Sequence, residues 1–299
     1  MDIDIVLPYV DMSKEMWQKL YNETCHKLKR HKSEASRYRQ IIDLKYLLRC
    51  IDKFCPFVKT LYLIVQTRDQ VPEYVKESDK LKIIEHKDII PKNLLPTFNS
   101  ATIDMHVHKI PNLAEHFILI NDDIYPLSEL KESDFFTDDG KPKINLALRE
   151  GDITVYTRRL KNTELFIKKV LGIKDVSKDN EFYRDGHSWN PMIKSHWRRL
   201  YVLNNRIRKS CTQFREVKNL TQQLGTYYEY FSNNWAPRNI KIGYYDFNSK
   251  KSLYNILTGD YSIVCINDNG LNENVEATIK QLKDWFEEIV PNKSEKYEI

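Results

Sequence analysis

Short apolar runs that end abruptly in polar side chains constrain this chain more than any other feature. Ile3-Asp4-Ile5-Val6-Leu7-Pro8-Tyr9-Val10 is followed by Asp11, and Thr60-Leu61-Tyr62-Leu63-Ile64-Val65 by Gln66-Thr67-Arg68-Asp69-Gln70. Lys82-Ile83-Ile84 leads to His86, Phe117-Ile118-Leu119-Ile120 to Asn121-Asp122-Asp123, and Tyr261 to Ile266 to Asn267-Asp268-Asn269. Short aliphatic and β-branched runs separated by helical or loop segments mark buried strands of a mainly parallel sheet. In open sheets of this type ligands gather outside the carboxyl ends of the strands. The pattern therefore predicts an α/β fold that presents amides, carboxylates and a histidine along one edge.

Between the first two runs, Lys14 to Phe54 reads as helical, with Ile41, Leu44, Leu47, Leu48, Ile51 and Phe54 recurring at spacings of three and four and Pro56 closing the segment. Residues 162–235 are richer in helical patterns and aromatics and read as a helical subdomain covering the sheet's edge. A chain of 299 residues with 41% hydrophobic and 30% charged residues can bury a substantial core and is unlike a disordered tail.

Several function classes lose support. There is no Walker A loop, no Gly-rich dinucleotide fingerprint and no Gly-x-Ser-x-Gly elbow, which leaves kinase, dehydrogenase and serine hydrolase readings without a motif. A net charge of +5 is too modest to argue for nucleic acid, despite the basic stretch Arg198 to Lys209. The cysteines Cys25, Cys50, Cys55, Cys211 and Cys265 are odd in number and lack Cys-x-x-Cys spacing, which favours reduced core thiols over disulfides or zinc. No run approaches the roughly 20 apolar residues of a membrane span, and the start lacks the pattern of a secretory signal. The expected location is cytoplasmic, with association at the inner face of the cell membrane left open.

Four features could carry chemistry. Asn121-Asp122-Asp123, after a strand, reads either as a turn or as carboxylates holding a hard divalent cation beside a diphosphate, and Asn267-Asp268 repeats the choice. His187, in the loop Asp185-Gly186-His187-Ser188-Trp189-Asn190-Pro191, reads as a general base or as an imidazole bonded to a loop carbonyl. Leu95-Pro96-Thr97-Phe98-Asn99-Ser100 opens a helix and is either a capping turn or a contact for an anion or sugar hydroxyl. Arg37, Arg39, Arg49, Arg149, Arg158, Arg159 and Arg215 offer planar forks suited to phosphate oxygens, and each reads either as a phosphate contact or as an ordinary surface residue.

The order of these motifs resembles the Stealth family. Its first block is similar to Ile3 through Asp11. Its long second block resembles the run from Arg37-Tyr38-Arg39 through Asp43-Leu44-Lys45-Tyr46-Leu47-Leu48-Arg49-Cys50-Ile51, Gln70-Val71-Pro72, His86, Leu95-Pro96-Thr97-Phe98-Asn99-Ser100 and Asn121-Asp122-Asp123 to Asp134-Phe135-Phe136. The third block resembles His187 to Ser195 and the fourth Cys265-Ile266-Asn267-Asp268. One departure is Tyr9-Val10-Asp11-Met12-Ser13-Lys14, where the family usually has a Trp-Val-Asp-Gly-Ser-Asp-like turn.

The resemblance implies a Rossmann-like, nucleotide-sugar-transferase-like α/β fold. It divides the chain into a nucleotide-sugar-binding core over 1–150, a helical subdomain with the catalytic histidine loop over 151–240, and a C-terminal part over 241–299 that completes the core. It implies transfer of a sugar 1-phosphate from a UDP-sugar to an oligosaccharide or polysaccharide hydroxyl, with a phosphodiester formed in capsular or cell-surface polysaccharide and UMP released. Magnesium (Mg2+) or manganese (Mn2+) would be held by Asp122, Asp123, Asn267 and Asp268. His187, Asp123, Arg215 and Asn99 would be catalytic, with either Arg215 or Lys218 as phosphate-binding cation. Tyr9, Asp11, Arg37, Arg39 and Gln70 would bind the donor. A conventional glycosyltransferase, which releases UDP, is the rival.

Overall fold

The computed structural model describes residues 1–33, 38–247, 253–268 and 275–299. Strand β1 (Ile3–Pro8) leads into α1 (Glu15–Lys27), and α2 (Leu44–Phe54), β2 (Val58–Val65), β3 (Leu81–Glu85) and the single-turn α3 (His86–Ile89) follow. Next come α4 (Ser100–His106), β4 (His116–Leu119), β5 (Ile124–Pro126), β6 (Lys143–Ile144), β7 (Leu146–Glu150) and α5 (Val155–Val170). Then β8 (Glu181–Asp185), β9 (Asn190–Ile193), α6 (Lys194–Leu203), α7 (Asn205–Ser210) and α8 (Gln223–Phe231) precede β10 (Ala236–Pro237), β11 (Ile242–Asp246), α9 (Leu253–Leu257), β12 (Ile263–Asn267) and α10 (Val275–Ile289).

Ile3, Ile5, Val6 and Leu7 have no exposed surface, so β1 must lie inside a sheet covered on both faces. It does: the main sheet has the order β3-β2-β1-β4-β9, with β1 parallel to β2 and β4, β2 parallel to β3, and only β9 antiparallel. The parallel part, 3-2-1-4, is the Rossmann arrangement. Each fully buried Leu, Ile or Val contributes roughly 1.5–3 kcal/mol of transfer free energy. One face is covered by α2, whose Leu44, Leu47, Leu48 and Ile51 are buried at helical spacing. Its start is set by Asp43, whose carboxylate accepts from the Lys45 N–H at 2.9 Å.

Lys14 to Phe54 is not one helix, as the apolar spacing suggested, but two. The apolar period is carried by residues 41–54 alone, and the basic run from Lys27 to Lys32 places like charges one turn apart where α1 stops.

The last predicted strand also lies elsewhere than expected. Instead of extending the main sheet, β12 pairs in parallel with β11 and antiparallel with β5 in a separate three-stranded sheet. Because β5 starts just after β4 ends, Asn121-Asp122-Asp123 is the corner where the chain leaves one sheet for the other. Residues 151–240 combine helices α5 to α8 with β9, which joins the edge of the main sheet against β4. All five cysteines are buried and free. No helix among the described residues is long and apolar enough to cross a membrane.

Candidate active site

Parallel strands point the same way, so the residues that follow them share one edge. A cavity of about 460 Å³ opens there. Tyr9 enters it after β1, Gln66 and Gln70 after β2, His86 after β3, Asp122 and Asp123 after β4, and Asn267 and Asp268 at the end of β12. The facing wall comes from Arg39 and Gln40, from Ser100 and Asp104 of α4, and from Arg215.

The acidic corner is held from both sheets. The Tyr9 hydroxyl donates to Gln40 Oε1 at 3.1 Å, and Gln40 Nε2 donates to Asp122 Oδ2 at 3.2 Å. From the second sheet the Ile266 N–H donates to the Asp123 carbonyl at 2.8 Å, and Cys265 Sγ lies 3.6 Å from Asp123 Oδ2. Asp123 Oδ1 is buried without a partner. Burial pushes the Asp122 carboxyl up to about 6, and burial together with the charge of Asp122 pushes Asp123 up to about 7. Two adjacent buried carboxylates whose ionisation is disfavoured, one of them also by its neighbour's charge and left with an orphaned oxygen, suit a divalent cation that would relieve both conditions. Among the described residues no group of three or more His, Cys, Asp or Glu stands together as a metal site. Magnesium does not need one, since one or two carboxylates with substrate phosphates and waters complete its shell. The residues present therefore fit it.

The other predicted residues separate into groups. Asn267 lines the cavity and donates through Nδ2 to the Tyr244 hydroxyl at 2.9 Å. Arg39 and Asp268 face each other, with Arg39 Nε and Nη2 donating to Asp268 Oδ2 at 2.9 and 2.6 Å. In this arrangement Asp268 answers a guanidinium, where a place in a cation's shell was expected. Gln70 is a brace: its Oε1 accepts from the Gln66 N–H at 3.0 Å and its Nε2 donates to the Asp11 carbonyl at 3.2 Å, tying together the loops after β2 and β1. Asp11 turns its carboxylate to Ser13 N and Oγ at 2.9 and 2.6 Å and is not among the lining residues. Arg215 lines the cavity, with Nη2 2.9 Å from Ser100 Oγ, whereas Lys218 pairs with Glu216 on the surface. Arg37 lies outside the described residues.

Asn99 and His187 stand behind the wall. Asn99 is fully buried; its Oδ1 caps α4 at Ala101 N, and its Nδ2 is within 3.2 Å of the Phe214 carbonyl and 3.0 Å of Asn219 Oδ1. It thus fastens the start of α4 to the segment that carries Arg215. His187 sits in the turn between β8 and β9 with its ring 4.9 Å from Tyr244, the residue that receives Asn267. Arg184 donates to His187 Nε2. Burial, reinforced by the Arg184 charge, pushes the imidazole down to about 4, so it is neutral near pH 7.

Gln40, which holds Asp122, and Asp104 were both passed over in the sequence. Asp104 is 5% exposed, lines the cavity, and has its carboxyl pushed up to about 7 by burial, against the opposing charges of Arg215 and Arg159. The signal was present, since Asp104 stands four residues after Ser100 and so shares its helical face.

Residues 37–144 match the family described as Stealth protein CR2, conserved region 2. A capsular polysaccharide phosphotransferase from Streptococcus pneumoniae is 29% identical over 98% of this chain and 98% of its own length. An exopolysaccharide phosphotransferase from Lactiplantibacillus plantarum is 28% identical over 98% and 96%. A capsular polysaccharide phosphotransferase from Haemophilus influenzae is 30% identical over 67% of this chain and 56% of its own. Among solved structures, a galactosyltransferase in complex with donor and acceptor sugar analogues aligns over 95% of both chains at 10% identity, with a TM-score of 0.44. With the conserved region matched across the segment that builds most of the cavity, and with relatives aligned over nearly their whole length, the similarities support the Stealth family of bacterial phosphotransferases for this chain.

Proposed function

We propose that this enzyme transfers a sugar 1-phosphate from a UDP-sugar to a hydroxyl of a carbohydrate acceptor, forming a phosphodiester in capsular or cell-surface polysaccharide and releasing UMP. The acceptor oxygen bonds to the phosphorus that carries the sugar, the bond from that phosphorus to UMP breaks, and the sugar's anomeric bond is untouched. The observation that carries this reading is the acidic corner after β4, with its orphaned Asp123 oxygen, set in a cavity that also holds Arg215.

Asp122 and Asp123 would hold a divalent cation, with the Asn267 carboxamide oxygen alongside, its nitrogen being engaged by Tyr244. Such a cation, magnesium or manganese, supplies positive charge against the diphosphate and the departing UMP. Arg215 adds a fixed guanidinium to the same phosphates, which suits phosphoryl transfer, where positioning and charge neutralisation outweigh covalent help. Tyr9 orders Gln40 and, through it, Asp122, while Gln70 holds the loops after β1 and β2 in register beneath the donor. Asp104, on the α4 wall, receives a hydrogen bond from a sugar hydroxyl. His187 is the base proposed for the acceptor proton; from its place behind Tyr244 it would act only once its ring turns toward the cavity and its Nε2 lone pair is released by Arg184. We place the reaction in the cytoplasm, at or near the inner face of the membrane, in keeping with five buried free thiols.

The test is product analysis with a panel of UDP-sugars and candidate oligosaccharides. UMP release that depends on acceptor and stops in excess EDTA is the expected result. Release of UDP would identify a glycosyltransferase, and undiminished activity in EDTA would remove Asp122 and Asp123 from their role.

A further inference from the structure

The cavity's other end carries a group of polar atoms that the proposed chemistry leaves unused. Gln66 is 6% exposed and His86 4%, and both line the cavity, after β2 and β3 respectively. Both side-chain polar atoms of Gln66 and both ring nitrogens of His86 are buried without a hydrogen-bond partner. Protein interiors rarely leave such atoms unanswered, and a cluster of them on one cavity wall calls for a ligand. Burial pushes the His86 imidazole down to about 3, so the ring is neutral and offers one N–H and one lone pair.

We infer that Gln66 and His86 form a base subsite that reads the uracil of the donor; this rests on the cavity being a UDP-sugar site. Sheet order supplies the ruler. The strands run β3-β2-β1-β4, so the β3 end lies three strand spacings from the acidic corner, roughly 14 Å at 4.7–4.9 Å per step. A nucleoside diphosphate lying across the strand ends, with its phosphates at Asp122 and Asp123, sends its base toward β2 and β3. The chemistry of the two side chains fits one base best. Uracil's edge is acceptor, donor, acceptor, and it meets a Gln66 N–H, the Gln66 carbonyl and a His86 N–H. Adenine presents one donor and one acceptor on the corresponding edge, and cytosine places a donor where uracil has an acceptor. Gln70 holds the subsite in shape through its bond to the Gln66 N–H.

The experiment titrates UDP, CDP, ADP and inorganic pyrophosphate, each with Mg2+, into the full chain and into Gln66→Met and His86→Leu, with thermal unfolding of each ligand-free protein alongside. Wild type should bind UDP at least ten-fold more tightly than ADP or pyrophosphate. Each variant should lose that advantage while keeping its pyrophosphate affinity. Gln66→Met should unfold at the same or a higher temperature than wild type, because it removes orphaned polar atoms and nearly preserves volume, which a purely structural role for Gln66 would not allow. Equal binding of UDP and ADP by wild type, or an undiminished UDP preference in Gln66→Met, would overturn the subsite and leave the donor site standing. No binding of any nucleoside diphosphate would bring down the donor reading and the subsite with it.

Discussion

Replacing Asp123 by Asn tests the electrostatics of the acidic corner directly. The Asp123 carboxyl is raised from its ordinary value of 3.8 to about 7, first by burial and then by Asp122. At 1.36 kcal/mol per pH unit, keeping it ionised in the native state costs roughly 4 kcal/mol at pH 8. The sign follows from the raised native value: the stability tied to the protonated form is complete below pH 3.8 and is lost as pH climbs to about 7. Asn keeps the shape and removes the charge. In EDTA the variant should therefore match wild type near pH 4, gain on it up to pH 7, and at pH 8 unfold about 7 °C higher, from an unfolding entropy of about 2.1 cal/mol/K per residue over 299 residues. Adding Mg2+ at pH 8 should raise the melting temperature of wild type and leave the variant's unchanged. Scanning calorimetry from pH 4 to 8.5, with EDTA and with Mg2+, measures all of this. A variant no more stable than wild type at pH 8 in EDTA would refute the account of crowded, desolvated carboxylates, whatever its activity.

His187→Ala should lower UMP release about a hundred- to ten-thousand-fold while UDP-sugar affinity by calorimetry stays within a few-fold, and unchanged turnover would take His187 out of the mechanism. Asn99→Ala removes the α4 cap and leaves buried partners at Ala101, Phe214 and Asn219 unmet, which should cost about 2–4 kcal/mol in urea unfolding. A midpoint within error of wild type would show that the network does not hold the Arg215 segment.

Much of the fold was legible because buried parallel strands have to be apolar on both faces. The runs beginning at Ile3, Thr60 and Phe117 became β1, β2 and β4 to within a few residues. Their polar endings became the cavity edge, so Gln70, Asp122 and Asp123 came together as the strand pattern implied, whereas after β1 Tyr9 lines the cavity in place of the expected Asp11. Helix ends were harder to read. The long pattern from Lys14 to Phe54 hid a break, since periodicity marks which residues face a core and says little about where a helix stops.

What the linear order could not convey was decided by packing between elements far apart in the chain. Asn267 and Asp268 reached the cavity through a second sheet, because β12 chose β5 and β11 as neighbours, and strand pairing is fixed by contacts across the whole chain. Of the two readings of the Asn99 loop, capping turn or ligand contact, the packed chain has the buried cap, while His187 lay behind Tyr244 with Arg184 on its ring. Gln66 and His86 stood at strand ends in the sequence and Asp104 on the Ser100 face of α4, but only burial showed which of their polar atoms lack a protein partner or have their charge disfavoured. Residue type lists the hydrogen bonds a side chain could make, but whether they are met by protein or left for a ligand depends on which groups the tertiary fold packs around it.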